Sequence, residues 1–171
     1  DDLVAGVQTC ALPILVSLNR THGYVDIWDK SSDEPLRQIK AHNNKLECIQ
    51  INNNGEYLAT ASNRGTIIRI FNVNNGEKIK EFRRGYYNKI INNLVFNEYT
   101  NLLMCTTISG SIDLFQTGLN NEINNMEIEK QESIFNIFGN EWSISKYKVN
   151  DIKMVGCFLG DNIIMLGDNS K

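Results

Sequence analysis

The chain has 171 residues, of which 42% are hydrophobic, and its formal net charge is −3 at pH 7. This length suffices for one globular core, and the charge gives no general basic balance of the kind expected of a nucleic-acid binder. The sequence has no apolar run of the roughly 18 residues that a membrane-spanning helix needs, and no signal-peptide pattern, so we expect a soluble, intracellular protein. The four cysteines are scattered singly, which predicts reduced thiols and no zinc site.

The first 14 residues stand apart from the rest. They show no clear strand alternation and resemble translated sequencing-adapter read-through. We therefore predict that residues 1–14 are foreign to the protein and leave them out of the fold prediction. The alternative is an irregular N-terminal strand.

From Leu15 onward the sequence repeats one pattern of short strands and turns. Apolar residues alternate within each strand, and turn-forming pairs such as Asn54-Gly55 and Asn75-Gly76 separate them. The predicted strands cover residues 15–18, 23–29, 36–39, 46–51, 57–61, 65–73, 78–83, 90–96, 102–106, 110–115, 149–158 and 162–166.

The repeat has a fixed period. Trp28, Phe71 and Phe115 end equivalent strands at intervals of about 43 to 44 residues, and we predict that all three lie in the core. A solenoid or a sandwich also has serial strands, but this period is typical of the four-stranded blades of a β-propeller. A propeller must close to protect its sheet edges, so residues 15–171 are predicted to be part of a larger propeller.

Two adjacent arginines close the second repeat, in Phe82-Arg83-Arg84-Gly85. Neighbouring side chains of a strand point to opposite sides, so two consecutive arginines that both bind anions must serve two different sites. The motif therefore predicts two anion sites.

The residues Ala41-His42, the segment 58–71 and the run from Glu81 to Gly85 resemble the PROPPIN family, the β-propellers that bind polyphosphoinositides. The resemblance covers most of residues 15–171. It implies an all-β, WD40-like β-propeller of seven blades, of which this chain supplies about blades four to seven. Residues 142–149 resemble the strand that follows the long blade-six loop of the family.

The resemblance also implies two phosphoinositide sites built from guanidinium and hydroxyl groups. The first would contain His42, Thr60, Ser62, Gly65, Thr66, Arg69 and Arg83. The second would contain Arg84, Gly85, Thr107, Ser111 and Asp113. Asp113 stands where the family usually has a histidine, and its carboxylate would repel a phosphate if it pointed inward, so we expect a weaker second site. For His42, Arg69 and the hydroxyl residues, the alternative is a structural role within the blade.

The segment from about residue 117 to residue 141 is too long for an ordinary hairpin. By resemblance it is the blade-six loop, which dips into the bilayer beside the lipid sites. Its apolar cluster, the predicted membrane-insertion residues, consists of Ile134, Phe135, Ile137 and Phe138. The alternative is that these four residues pack on the propeller rim.

The sequence has no nucleophile elbow, P-loop or metal-binding histidine pair, so we expect neither an enzyme nor a cofactor or metal. The resemblance implies recruitment to membranes carrying phosphatidylinositol 3-phosphate or 3,5-bisphosphate, and scaffolding of autophagy or endolysosomal trafficking proteins on the propeller rim. It also implies a cytoplasmic protein at the periphery of autophagosomal or endosomal and vacuolar membranes. The alternative is a WD-repeat scaffold that binds proteins but no lipid.

Overall fold

The computed structural model describes residues 4–6, 14–97, 99–119, 141–148, 153–160 and 162–168. These residues form strands joined by turns and short irregular segments, and no helix is present among them. Within these ranges there is accordingly no helix that could cross a bilayer. The predicted all-β fold is confirmed.

Three four-stranded antiparallel sheets follow one another along the chain, and a hairpin follows the third. The first sheet contains β1 (Val4–Gly6), β2 (Ile14–Leu18), β3 (Tyr24–Asp29) and β4 (Arg37–Lys40). The second contains β5 (Leu46–Ile51), β6 (Tyr57–Ser62), β7 (Ile67–Asn72) and β8 (Lys78–Arg83). The third contains β9 (Ile91–Phe96), β10 (Leu102–Thr107), β11 (Ser111–Gln116) and β13 (Ser145–Lys148), and the hairpin is β14 (Lys153–Leu159) with β15 (Asn162–Asp168). The two residues of β12 (Glu141–Trp142) add a parallel strand to the edge of the second sheet.

The middle sheet buries both of its faces, because its strands are apolar at successive positions. In β6, Leu58 packs in the core shared with the first sheet, and Ala59 and Ala61 pack in the core shared with the third. The third sheet repeats the pattern in β10, where Met104 packs toward the β14–β15 hairpin and Leu103 faces back. Each large apolar side chain buried in this way contributes about 1.5–3 kcal/mol, so the face-to-face stacking of sheets is the main source of stability.

Two of the three aromatic residues that mark the repeat lie in the core as predicted. Phe71 and Phe115 are buried on opposite sides of the second sheet. The prediction for Trp28 is wrong, because its ring is only partly buried, and its Nε1 donates a hydrogen bond to Ser17 Oγ (2.9 Å). Its neighbour in β3, Ile27, takes the place in the core, and Trp28 lies on the other face of the first sheet, which no sheet of the described residues covers.

The N-terminal stretch and residues 142–149 differ from the strand prediction. β1 pairs with β2, so part of the N-terminal stretch forms a strand, which was the alternative prediction for these residues. The foreign origin of residues 1–14 stays a prediction. Residues 142–149 do not form one strand. β12 pairs with β8 of the second sheet and β13 with β11 of the third, because the chain crosses between the two sheet edges at Ser143 and Ile144.

The connections between strands lie at two opposite ends of the sheets, because neighbouring strands run antiparallel. The first rim consists of segments 19–23, 41–45, 63–66, 84–90 and 108–110. The second rim consists of segments 30–36, 52–56, 73–77, 99–101 and 117–119. Backbone hydrogen bonds join successive sheets at the first rim, for example from Lys89 N to the Arg64 carbonyl (3.1 Å).

Candidate functional site

The paired arginines lie at the first rim, where β8 ends. Arg83 is the last residue of β8, and its guanidinium lies over the ring of Tyr86, with its carbon 5.8 Å from the ring centroid. Arg84 begins the connection, is only 3% exposed, and donates from Nε to the Gly65 carbonyl and from Nη2 to the Tyr87 carbonyl (2.6 Å). The two side chains therefore occupy different surroundings, as the alternation along a strand predicts.

Arg83 has an unused donor. Its Nε is buried and makes no hydrogen bond to any residue in the described part of the chain. Buried polar groups are almost always hydrogen-bonded, so a buried guanidinium nitrogen without a partner points to a missing acceptor. An anion at this position would supply one.

Three residues of the predicted first site, His42, Thr60 and Arg69, are already hydrogen-bonded within the protein. The buried His42 places Nε2 3.0 Å from Thr60 Oγ1. Arg69 donates from Nη1 to the Ala41 carbonyl (2.7 Å) and from Nε to Glu81 Oε2 (2.7 Å). This arrangement matches the structural alternative for His42, Thr60 and Arg69, and their lipid-binding role stays a prediction.

His42 is uncharged in this environment. Burial is the main cause that lowers its pKa from 6.5 to about 4, and the positive charge of Arg69 lowers it further. Glu81 is held ionised, since hydrogen bonds and charge interactions with Arg69 and Lys78 lower its pKa despite partial burial, which alone would raise it. In this network Arg69 is therefore paired with the Glu81 carboxylate, and the His42 imidazole is neutral.

The remaining first-site residues form the turn that holds Arg84. Ser62 accepts a hydrogen bond from Gly65 N (2.8 Å), and the Thr66 carbonyl accepts one from Arg84 N (2.9 Å). Gly65 has a φ of +57°, and a Cβ at this position would overlap the Lys89 carbonyl. Glycine is required here because the turn passes against the backbone of the Lys89 segment.

The predicted second site contains a cluster of hydroxyl groups. Thr107 Oγ1 lies 2.7 Å from Ser111 Oγ and 3.1 Å from Ser109 Oγ. The ammonium of Lys89 lies 3.4 Å from Ser111 Oγ. Hydroxyl groups next to a cation are suitable donors for a phosphate oxygen.

Asp113 is fully buried and pairs with a lysine. Its Oδ1 lies 3.1 Å from Lys146 Nζ, and the two side chains form an ion pair. Burial raises the pKa of Asp113, and Lys146 and Arg84 partly offset this shift. The same Lys146 Nζ donates to the Arg84 carbonyl (3.2 Å). The carboxylate therefore faces a cation inside the sheet, and its expected effect on the second site stays a prediction.

Lys89 and Lys146 are site residues that the sequence prediction missed. Lys146 lies directly opposite Asp113 in the β11–β13 pair, a cross-strand position that favours opposite charges. Residues 117–144 separate the two strands, so no local pattern in the sequence indicates this register. For Lys89 the sequence contains only a weak indication, namely its position a few residues after Arg84 in the same connection.

The two rims differ in charge. The first rim has no aspartate or glutamate in its described segments, and its basic residues are Arg20, Lys45, Arg64, Arg84 and Lys89, with Arg83 at its border. The turns of the second rim hold four acidic residues, Asp33, Glu34, Glu56 and Glu77, and one basic residue, Lys30. Because the net charge of the chain is −3, the cations of the first rim are a local concentration and not a general excess.

The long segment after β11 returns beside the arginine pair. Its first described part ends at Leu119 on the second rim, and β12 pairs in parallel with β8, with Glu141 opposite Phe82 and Trp142 opposite Arg83. The predicted membrane-insertion residues Ile134, Phe135, Ile137 and Phe138 lie outside the described residues. Their role stays a prediction.

Two other features do not add to this site. A cavity of about 140 Å³ lies at the second rim, where Asn52, Asn97 and Asn101 line it, far along the strands from the arginine pair. The described part of the chain has no cluster of histidine, cysteine and acidic residues that could hold a metal ion.

The fold and the site together define a partial β-propeller with a cationic, hydroxyl-bearing rim. Residues 10–143 match the family model described as PROPPIN, and this match covers most of the chain. The chain belongs to the PROPPIN family.

Two relatives with similar sequences agree with this family. The chain is 39% identical over 101 residues to autophagy-related protein 18 of Phaeosphaeria nodorum, a match that covers 59% of this chain and 24% of the relative. It is 40% identical over 94 residues to autophagy-related protein 18 of Yarrowia lipolytica, covering 55% of this chain and 24% of the relative. These matches therefore span about a quarter of the relatives' length.

Solved structures share the fold. Hsv2 of Kluyveromyces lactis superposes with a TM-score of 0.69 at 26% identity, covering 90% of this chain and 49% of that one. A complex described as KlAtg21 with the coiled coil of AgAtg16 superposes with a TM-score of 0.71 at 22% identity, covering 97% of this chain and 50% of that one. The chain thus corresponds to about half of these propellers.

Proposed function

We propose that this chain forms the phosphoinositide-binding part of a PROPPIN propeller that is recruited to membranes carrying phosphatidylinositol 3-phosphate or 3,5-bisphosphate. The observation that carries the proposal is the buried, unpartnered Nε of Arg83 at a rim whose described segments contain no carboxylate. An inositol phosphate head group brings several negative charges into a small volume. A planar guanidinium matches the geometry of a phosphate and binds two of its oxygens at once.

The two arginines would have unequal roles. Arg83 offers its guanidinium from the end of β8, whereas Arg84 already donates to the carbonyls of Gly65 and Tyr87. Arg84 would therefore bind phosphate with the donors that remain and would also fix the connection that carries Lys89. Lys89, Ser109 and the Thr107–Ser111 hydroxyl pair are the groups that would complete the second site.

We further propose that the propeller brings proteins of autophagy or endolysosomal traffic to these membranes. The names of the autophagy-related relatives support a role in autophagy. The complex of the propeller KlAtg21 with a coiled coil supports protein binding by this fold. The partners would bind elsewhere on the propeller, and the first rim would face the membrane.

The test is vesicle flotation with a closed propeller that contains this chain, because an incomplete propeller leaves sheet edges unpaired. Arg83→Thr removes charge-assisted hydrogen bonds worth about 1.5–3 kcal/mol, so binding to vesicles containing phosphatidylinositol 3-phosphate should fall by roughly tenfold or more. Arg37→Thr, which removes an exposed arginine of β4 hydrogen-bonded to the Asn74 carbonyl at the second rim, is the matched control and should bind as the wild type does.

Unchanged flotation of a folded Arg83→Thr variant would contradict the proposal. A wild-type protein that binds an acidic peptide but no phosphoinositide vesicle would instead support the alternative of a protein scaffold. The variant Arg84→Lys tests the structural role of Arg84 separately from the charge. It keeps the charge but loses the fork to Gly65 and Tyr87, so a lower melting temperature is expected together with weaker binding.

A further inference from the structure

Two tyrosines lie on the surface directly after the arginine pair. Tyr86 is 63% exposed and Tyr87 is 83% exposed. Two further apolar side chains, Ile90 and Ile108, are exposed on the same rim, and their backbones meet where Ile108 N donates to the Ile90 carbonyl (3.1 Å). We call these four residues the aromatic patch: Tyr86, Tyr87, Ile90 and Ile108.

The backbone that presents the tyrosines is fixed from both sides. Arg84 N bonds to the Thr66 carbonyl (2.9 Å), and Arg84 Nη2 bonds to the carbonyl of Tyr87 itself (2.6 Å). On the far side, Lys89 N bonds to the Arg64 carbonyl (3.1 Å). The two exposed tyrosines therefore lie on an anchored backbone, so little backbone entropy is lost when this connection binds a surface.

Two basic residues, Arg83 and Lys89, lie next to residues of the aromatic patch. The Arg83 guanidinium lies over the Tyr86 ring, and Lys89 lies between Tyr87 and Ile90 in the sequence. The described segments of the first rim contain no carboxylate. A surface with exposed tyrosines, isoleucines and only positive charges is complementary to a layer that is apolar inside and negatively charged outside.

We propose that the aromatic patch inserts into the headgroup layer of an anionic phospholipid bilayer, as a membrane contact additional to the headgroup site and to residues 134–138. This inference rests on the proposed function, because the headgroup site would bring the rim to the membrane. Tyrosine has an apolar ring and a polar hydroxyl, which is the combination found at membrane–water interfaces. Arg83 and Lys89 would remain at the level of the lipid phosphates, with their stems along the rings.

The experiment compares two measurements on a closed propeller that contains this chain. The variant Tyr87→Ser, which leaves the Tyr86 ring beside the Arg83 guanidinium, should bind vesicles of phosphatidylcholine, phosphatidylserine and phosphatidylinositol 3-phosphate about fivefold more weakly than the wild type. Its affinity for soluble inositol 1,3-bisphosphate, measured by calorimetry, should change less than about twofold. Tyr99→Ser, at an exposed tyrosine of the second rim, is the matched control and should change neither value.

A second variant reports the location of the patch directly. Tyr87→Trp should show a blue shift of tryptophan emission on vesicle addition, and lipids brominated near the headgroup should quench it more strongly than they quench the unmodified protein. Trp28 and Trp142 provide the background, which is subtracted with the wild-type protein.

Each outcome separates the patch from the headgroup site. If the wild-type protein does not bind the soluble headgroup, the proposed function is wrong. If the tyrosine variant binds vesicles as well as the wild type does, only the proposal for the aromatic patch is wrong. An equal loss of vesicle and soluble headgroup binding would assign the tyrosines to the headgroup site and would also overturn the patch. The proposal would also be overturned if the tyrosine variant bound vesicles normally but no longer bound an acidic protein, since the surface would then be a protein interface.

Discussion

His42 couples the stability of the second sheet to pH. Its pKa is about 4 in the folded chain and close to 6.5 when the side chain is exposed by unfolding. Between these two values the unfolded chain binds more protons than the folded chain. The free energy of unfolding must therefore rise with pH across this window and fall on acidification.

We expect the free energy of unfolding to decrease by about 2 kcal/mol because of His42 when the pH falls from 7 to 5. The variant His42→Gln retains an amide able to hydrogen-bond to Thr60 but does not titrate, so its unfolding free energy should change less over the same range. Urea unfolding of both proteins at pH 5, 6 and 7, each as a closed propeller that contains this chain, measures the difference. The prediction fails if the two curves run parallel.

The connection between β8 and β9 is the element on which the site depends. It carries Arg84, Tyr86, Tyr87 and Lys89, and it approaches the β6–β7 turn so closely that only glycine fits at position 65. The hydrogen bonds of Arg84 to Gly65 and Tyr87 join the same two elements. The turn and the connection are therefore one structural unit, although 18 residues or so separate them in the sequence.

In a closed propeller that contains this chain, Gly65→Ala should lower the free energy of unfolding by about 2–4 kcal/mol, because it adds a Cβ at a positive φ and against the Lys89 carbonyl. Vesicle binding should weaken too, since Lys89 moves. Gly85→Ala is the control for stability: a Cβ there meets no atom within 4 Å, so the midpoint of urea unfolding should stay close to that of the wild type. Equal midpoints for the two variants would show that the turn has room to relax.

The strands were predictable from sequence, but some of their partners were not. The bounds of β5 and β8 agree with the prediction, because alternation and Asn-Gly turns are local signals. The pairing of β12 with β8 and the register of Lys146 against Asp113 depend on contacts across a long segment, and no local pattern specifies them. Trp28 was placed wrongly for a related reason, since burial depends on whether a neighbouring sheet covers its face.

At the scale of the whole molecule, the sheets at either end of the series are exposed. The β14–β15 hairpin presents Val155, Leu159, Ile164 and Leu166 to solvent. In a closed propeller each sheet packs between two others, as the second sheet does here. Exposed apolar strands with unpaired edges are templates for association with other chains.

Residues 15–171 expressed alone should therefore aggregate or unfold without a cooperative transition. Differential scanning calorimetry with size-exclusion chromatography measures this. Adding a separately expressed chain with the remaining blades should reduce aggregation, because it would cover the hairpin. A monomeric protein with a sharp, reversible transition would contradict the prediction.

The separation of charge between the two rims makes the stacked sheets an electric dipole that lies along the strands. The chain as a whole, with its net charge of −3, is weakly repelled by an anionic surface at long range. Within a Debye length, about 8 Å at physiological ionic strength, the nearer rim dominates the field that the surface experiences. A torque then turns the molecule until the first rim faces the surface, so that most encounters begin with the arginines and tyrosines in front. Orientation would thus precede contact, and ionic strength would control how often an encounter is productive.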